Sequence, residues 1–252
     1  MSEILRDHSP FRLVNAEGGP GLLLVCDHAS NSVPPEYDNL GLPEGAFARH
    51  IAYDIGAAQV TLALSRLLNA PAVLAGFSRL LIDPNRGADD PTLVMKLSDG
   101  AIIPGNRHVD AAILRDRISR YYTPYHQAIA GRIAAARASG IAPAIVSLHS
   151  FTPVFQGRTR PWHIGILWDK DGRIAQPILS SLQADSSLCI GDNLPYSGEL
   201  VGDCMFQHGT RNGLPHVLIE LRQDLIAEYS GAELWAELLA AHLRPILEGI
   251  ER

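Results

Sequence analysis

Short, wholly apolar runs alternate along this chain with longer stretches in which apolar residues return every three or four positions. Leu22–Cys26 is the first such run, closed by Asp27 and His28 and then by Asn31, Pro34 and Pro35, the signature of a buried parallel strand that ends in a loop. Over residues 44–69, Phe47, Ile51, Ile55, Ala58 and Leu62 keep a helical period that Pro71 stops, which predicts a long helix. Ala72–Ala75 and residues 80–82 read as strands separated by Gly76 and ended by Pro84 and Asn85. Residues 89–107 carry Pro91, Gly100, Pro104 and Gly105 with little period, a long loop placed to lie over a site. Residues 109–139 return to a helical period, with a kink or split expected at Pro124. Residues 144–148 form a strand that stops at His149. Residues 164–168 and 217–221 are further strands, and residues 174–183 and 233–247 are helices. Strands alternating with helices predict an α/β fold, a mostly parallel sheet with helices on both faces, whose site lies beyond the carboxyl ends of the strands.

At 252 residues with no linker, repeat or low-complexity tract, the chain reads as one domain spanning residues 1–252, with residues 1–19 as an N-terminal extension. An apolar fraction of 46% against 19% charged excludes wholesale disorder. The net charge of −6 lacks the positive field that non-specific nucleic-acid binding uses. The longest uncharged stretch, residues 138–157, is broken by Pro143, His149 and Pro153, so no segment reads as a membrane span. Charged residues at positions 3, 6 and 7 argue against a secretory signal, and the expected location is the cytoplasm. Three cysteines without a CxxC pair indicate neither a disulfide framework nor a thiolate metal site.

Three apolar runs end in groups able to bind a metal or move a proton: His28, His149 and Glu220. Parallel strands bring such ends to one edge, where two imidazoles and a carboxylate can converge as a catalytic zinc site requires, with a further carboxylate as general base. Taken singly, each histidine is equally readable as a core or loop residue satisfied by the backbone. Asp83-Pro84-Asn85-Arg86, with Arg79 just before, reads either as a clamp for a substrate carboxylate or as a turn with a surface arginine. Arg222, two residues beyond Glu220, is placed to add a cationic contact unless it pairs with Asp224. His208 is a weaker candidate for steadying an oxyanion, and Tyr121, Tyr122 and Tyr125 read as packing.

Five segments in register, residues 27–34, 79–86, 121–126, 147–150 and 219–225, resemble the N-formylglutamate amidohydrolase family. The resemblance implies a phosphorylase/hydrolase-like fold similar to that of zinc carboxypeptidases and aspartoacylase, with a mostly parallel or mixed sheet, one zinc ion, and hydrolysis of a small N-acyl amino acid such as N-formyl-L-glutamate. It implies His28 and His149 as metal ligands, Glu220 as general base, and Asn85 with Arg86 as the carboxylate-binding pair. Carboxypeptidase-like relatives place a glutamate three residues after the first histidine, where this chain has Asn31. Cell-wall amidases take a carboxylate from the following helix, where this chain has Asp54. Asp54 is favoured as third ligand because an anionic oxygen suits zinc better than an amide, which leaves Asn31 to contact substrate or orient His28. The alternatives are a peptide or cell-wall amidase of the same fold, and a metal-free binding module.

Overall fold

The computed structural model describes residues 8–250. In chain order its strands and helices are β1 (Phe11–Val14), β2 (Leu22–Cys26), α1 (Ala57–Leu67), β3 (Ala72–Ala75), β4 (Leu97–Ser98), β5 (Ala101–Ile102), α2 (Ala111–Arg117), α3 (Thr123–Ala138), β6 (Ala144–Phe151), β7 (Val154–Phe155), β8 (Arg158–Thr159), β9 (Ile164–Leu167), α4 (Gly172–Gln183), β10 (Ile190–Asp192), α5 (Cys204–His208), β11 (His216–Arg222) and α6 (Tyr229–Gly249). Seven strands make one mixed sheet in the order β1-β3-β2-β6-β11-β9-β10. The four central strands run parallel, β1 pairs antiparallel with β3, and β9 pairs antiparallel with β11 and parallel with β10.

The strands are continuous apolar runs because both faces of the sheet are covered. Leu22, Leu24, Val146, Ile219 and Leu221 pack into one core with α1, α4 and α6. The alternate residues Leu23, Val25, Ile145 and Leu218 pack into the other with Tyr125, Ile129 and Ile133 of α3. Each fully buried side chain of this kind contributes about 1.5–3 kcal/mol. Toward the carboxyl edge the second face changes character: the positions that continue its alternation are Asp27, Ser147, His149 and Glu220, all buried. The polar site therefore occupies places where the period of two would otherwise set apolar side chains.

Several elements differ from the sequence expectation. The helix expected over 44–69 is confined to α1, preceded by a 3₁₀ turn at Glu44–Ala48. Gly56 adopts φ +82 at the head of α1, where a Cβ would lie 2.3 Å from the carbonyl oxygen of Ile226. The amide of Asp54 donates to the His28 carbonyl at 2.9 Å, which ties this turn to the loop after β2. Residues 80–82 form buried turns rather than a strand. Their carbonyls are taken by side chains, Leu80 by Asn106 and Leu81 by Arg117, each at 2.8 Å, so no ladder is needed. Residues 89–107 contain the β4–β5 hairpin and do not line the main cavity. Strand β6 runs on to Phe151, two residues past His149. Between α2 and α3 a π-helical turn, Ile118–Tyr122, keeps the helical run continuous up to Pro124, and its wider hydrogen-bond spacing accommodates the N–H that proline lacks. β1 lies inside the stretch read as an extension. The residues read for a secretory signal, 1–7, lie outside the described residues. Among the described residues no helix is long and apolar enough to cross a membrane.

Candidate active site

A cavity of about 570 Å³ opens at the carboxyl edge of the central strands. Its walls include His28, Asp54, Arg79, Asn85, Arg86, His149, Asp203 and Glu220. Strand β6 supplies His149, and β11 supplies Glu220 directly opposite it in the parallel register. Gly165 of β9 faces Glu220 from the other side, and a side chain there would meet Glu220 Cβ at 3.5 Å and the Leu194 carbonyl at 2.2 Å.

His28 and His149 turn their Nδ1 atoms toward one carboxylate oxygen, Asp54 Oδ2, at 3.3 and 2.8 Å. Ligand atoms of the three buried residues all lie within 4.8 Å of one another, a donor set able to hold a metal ion. The far nitrogens are held in turn. His28 Nε2–H donates to Asp83 Oδ1 at 2.7 Å and His149 Nε2–H donates to Asp27 Oδ2 at 2.9 Å. Arg79 Nη1, which only donates, lies 3.3 Å from His28 Nδ1, so His28 carries its hydrogen on Nε2. His149 faces a carboxylate from each ring nitrogen and donates to both. A metal ion at the shared point would take the Nδ1 lone pair in place of that hydrogen, with Asp27 holding the ring from behind as metal-binding histidines are held. Asp27 also accepts from Tyr125 Oη at 2.9 Å and Ser147 Oγ at 3.0 Å, and Asp83 from Arg79 Nη2 at 2.7 Å.

Burial alone would drive Asp27, Asp54 and Asp83 to protonate, yet all three carboxyls are held well below the usual range. For Asp27 and Asp54 the opposing partners are the two imidazoles, and for Asp83 the Arg79 guanidinium and His28. Burial likewise opposes protonation of His149, but hydrogen bonds to Asp27 and Asp54 outweigh it and push its pKa up. The group is thus a concentration of buried negative charge that a divalent cation would neutralise. Glu220 behaves differently: burial raises its pKa to about 7, and its Oε2 is buried without a hydrogen-bond partner. An unengaged carboxylate oxygen poised near neutrality suits a general base.

Arg79 lines the cavity, but its guanidinium is committed to Asp83 and lies 3.7 Å from Asp54 Oδ1, so it holds the site carboxylates together. Asn85 accepts from the Cys204 amide at 3.0 Å, and Arg86, which donates to the Asn85 carbonyl at 3.1 Å, stands beside it in the wall. Two expected residues are not brought in. Asn31 does not line the cavity and donates its amide to the Phe47 carbonyl at 2.7 Å. Arg222 lies outside as well, since β11 ends there and the guanidinium pairs with Asp224 at 2.8 Å.

Other residues at the site gave no sequence signal. Asp203 faces the cavity from the head of α5, and burial raises its pKa to about 7. Tyr196 and Lys170 also belong to the wall. Behind Asn85, the buried His126, Cys204 and His208 form a second cluster of donors. Pro84 O accepts from His126 Nε2–H at 3.1 Å, so His126 Nδ1 accepts from His208 Nε2–H at 2.8 Å. Burial lowers both pKa values to about 4. This neutral, satisfied pair props the segment that carries Asn85 and Arg86.

A family model described as N-formylglutamate amidohydrolase matches residues 21–227. No curated protein matches the chain. Among solved structures, gene product Atu2144 from Agrobacterium tumefaciens is 36% identical with a TM-score of 0.92, covering 97% of this chain and 97% of that one. An N-formylglutamate amidohydrolase from Ralstonia eutropha JMP134 is 22% identical with a TM-score of 0.67, covering 95% of this chain and 97% of that one. A metallo-carboxypeptidase from Pseudomonas aeruginosa is more distant, 11% identical at a TM-score of 0.37 over 90% of this chain and 57% of that one. With the match extending through the segments that carry His28, Asp54, Arg86, His149 and Glu220, the chain belongs to the N-formylglutamate amidohydrolase family.

Proposed function

We propose that the protein hydrolyses the amide bond of a small N-acyl amino acid, with N-formyl-L-glutamate as the substrate and a zinc ion held by His28, Asp54 and His149. The observation that carries this reading is the convergence of two imidazole nitrogens and one carboxylate oxygen, each histidine held from behind by its own aspartate, beside an unengaged Glu220 oxygen. Zinc at such a site supplies a Lewis acid for the acyl oxygen and acidifies water. Arg86 and Asn85 bind the amino acid's carboxylate and hold the amide over the cavity floor. Glu220 takes the proton from the attacking water as the new C–O bond forms. It returns that proton to the amide nitrogen as the C–N bond breaks, giving formate and glutamate. Incubation with N-formyl, N-acetyl and N-succinyl amino acids, with release of free amine as the readout, tests the reading. Turnover of N-formyl-L-glutamate supports it, and inertness toward the whole set overturns it.

Charge and place both support Asp54 as the third ligand. With Asp54 the two histidines leave the zinc site at net +1, and Asn31 is spent on the Phe47 carbonyl. Asp54→Asn is therefore expected to weaken zinc binding far more than Asn31→Ala in a chelator competition, and the reverse order would move the ligand assignment to Asn31.

Substrate anchoring gives a second expectation. A charge-assisted bond to a carboxylate is worth about 1.5–3 kcal/mol. Arg86→Lys keeps the charge but loses the fork, so KM for N-formyl-L-glutamate should rise about tenfold. The melting temperature should stay put. An equal loss on an analogue amidated at the contacted carboxylate would show that Arg86 serves the fold instead.

A further inference from the structure

Past His149, strand β6 runs through Phe151 into the β7–β8 hairpin, and the residue that follows this hairpin is Arg160, only 9% exposed. Its guanidinium carbon lies 4.6 Å from the Phe155 ring centre, 5.0 Å from that of Tyr196 and 5.9 Å from that of Phe151, a cage that fixes a planar cation by stacking. From this cage Nη1 donates to Tyr196 Oη at 2.9 Å, with Thr152 Oγ1 at 3.4 Å as its other partner. Tyr196 stands at the cavity mouth, 43% exposed as a whole residue, in the same wall as Asp54 and Glu220.

A phenol oxygen accepts through its lone pairs and donates one hydrogen. Arg160 takes up the accepting side, and among the described residues no acceptor lies within hydrogen-bonding distance of the phenolic hydrogen. The charged donor behind it also makes the O–H a stronger donor in front. Burial, and then the charge of Glu220, raise the Tyr196 pKa, so the hydroxyl keeps its proton at neutral pH. Such a hydroxyl, rigidly held and without an acceptor of its own, is the kind of preorganised donor that stabilises charge as it develops.

We propose that Tyr196 donates a hydrogen bond to the acyl oxygen of the substrate as water adds to the acyl carbon, and that Arg160 is the positioning residue that fixes this hydroxyl. The proposal rests on the amide-hydrolysis reading above. In the step, the water oxygen bonds to the acyl carbon and the carbonyl π pair moves onto the acyl oxygen. Glu220 takes the water proton, while the phenolic proton stays on Tyr196 as a bridge. When the C–N bond breaks, the pair returns to the carbonyl, the bond to Tyr196 relaxes, and Glu220 delivers its proton to nitrogen.

The test uses the zinc-loaded full-length protein with N-formyl-L-glutamate. Tyr196→Phe removes one oxygen atom and should lower kcat about 10²–10³-fold, the usual loss for a single oxyanion donor. KM should move by less than about threefold, because the bond is made in the transition state and not to the bound substrate. Zinc content and melting temperature should be unchanged. Arg160→Met should lower kcat on its own but add nothing in the Tyr196→Phe background, since its effect passes through the hydroxyl. Additive losses in the double variant, or a Tyr196→Phe enzyme with kcat within about threefold of the parent, would overturn the proposal. Activity lost in Glu220→Gln but kept in Tyr196→Phe would overturn this proposal alone. A parent enzyme that hydrolyses no N-acyl amino acid would overturn it together with the reaction it serves.

Discussion

Alanine in place of His149 is expected to remove bound zinc and activity together, beyond the roughly 10–100-fold loss that changes behind a metal ligand cause. His149 joins Asp27 and Asp54 through its two ring nitrogens, at 2.9 and 2.8 Å. Without it both buried carboxylates lose a cationic partner. Removing one member of a buried ion pair costs about 3–5 kcal/mol, so the chelated variant should also melt well below the chelated parent. Asp27→Asn separates the two effects, because it leaves the Nδ1 ligand in place and alters only the group that orients it. That variant should fall within the 10–100-fold range in zinc affinity and keep measurable activity. Elemental analysis and a zinc competition assay read both variants, and full zinc occupancy in His149→Ala would remove this residue from the ligand set.

Glu220→Gln is expected to lower kcat about 10²-fold or more while zinc stays bound, since glutamine keeps the shape but takes no proton. The same change should stabilise the chelated protein in a pH-dependent way. Burial raises the folded-state pKa of Glu220 from 4.5 to about 7. A carboxyl with a raised folded pKa binds its proton more tightly when folded, so its contribution to stability is full below the unfolded value and is lost as pH rises through the folded one. The melting temperatures of parent and Glu220→Gln should therefore agree near pH 4 and diverge between about pH 4.5 and 7, with the variant more stable. Above pH 7 the difference in unfolding free energy should level off at about 3 kcal/mol. A gap that shrinks with rising pH would show that Glu220 is ionised and well solvated in the folded protein.

The three strand ends that build the site were legible because each closes a short apolar run with a side chain able to bind a metal or move a proton. His28, His149 and Glu220 follow Leu22–Cys26, the β6 run and the β11 run, and one sheet edge gathers them. Asp54 was legible as a residue but not as a place. The helical period runs straight through Ile51 and Ile55, whereas the chain is diverted there by Gly56 and by the bond from the Asp54 amide to His28. Leu80, Leu81 and Ile82 look like a strand because burial, not pairing, selects their composition, and Asn106 and Arg117 take the carbonyls a ladder would have taken. Arg222 failed for a local reason: Asp224, two residues away, is nearer than the cavity. Tyr196 and Asp203 lie in the irregular stretch between β10 and α5, and Arg160 directly follows a hairpin of two-residue strands. Without a repeating pattern to place them, tertiary contact alone brings them to the site.

Formate release from N-formyl-L-glutamate by one preparation, measured as purified, after chelation, and after return of one equivalent of zinc, tests the central claim most directly. The expected result is turnover that disappears on chelation and returns in proportion to zinc bound, reaching its limit at one zinc per chain in the parent and remaining absent in His149→Ala. Turnover that persists undiminished in the chelated protein, or zinc that binds at one per chain without restoring any hydrolysis, would contradict the assignment of His28, Asp54, His149 and Glu220 as a metal-dependent amidohydrolase site.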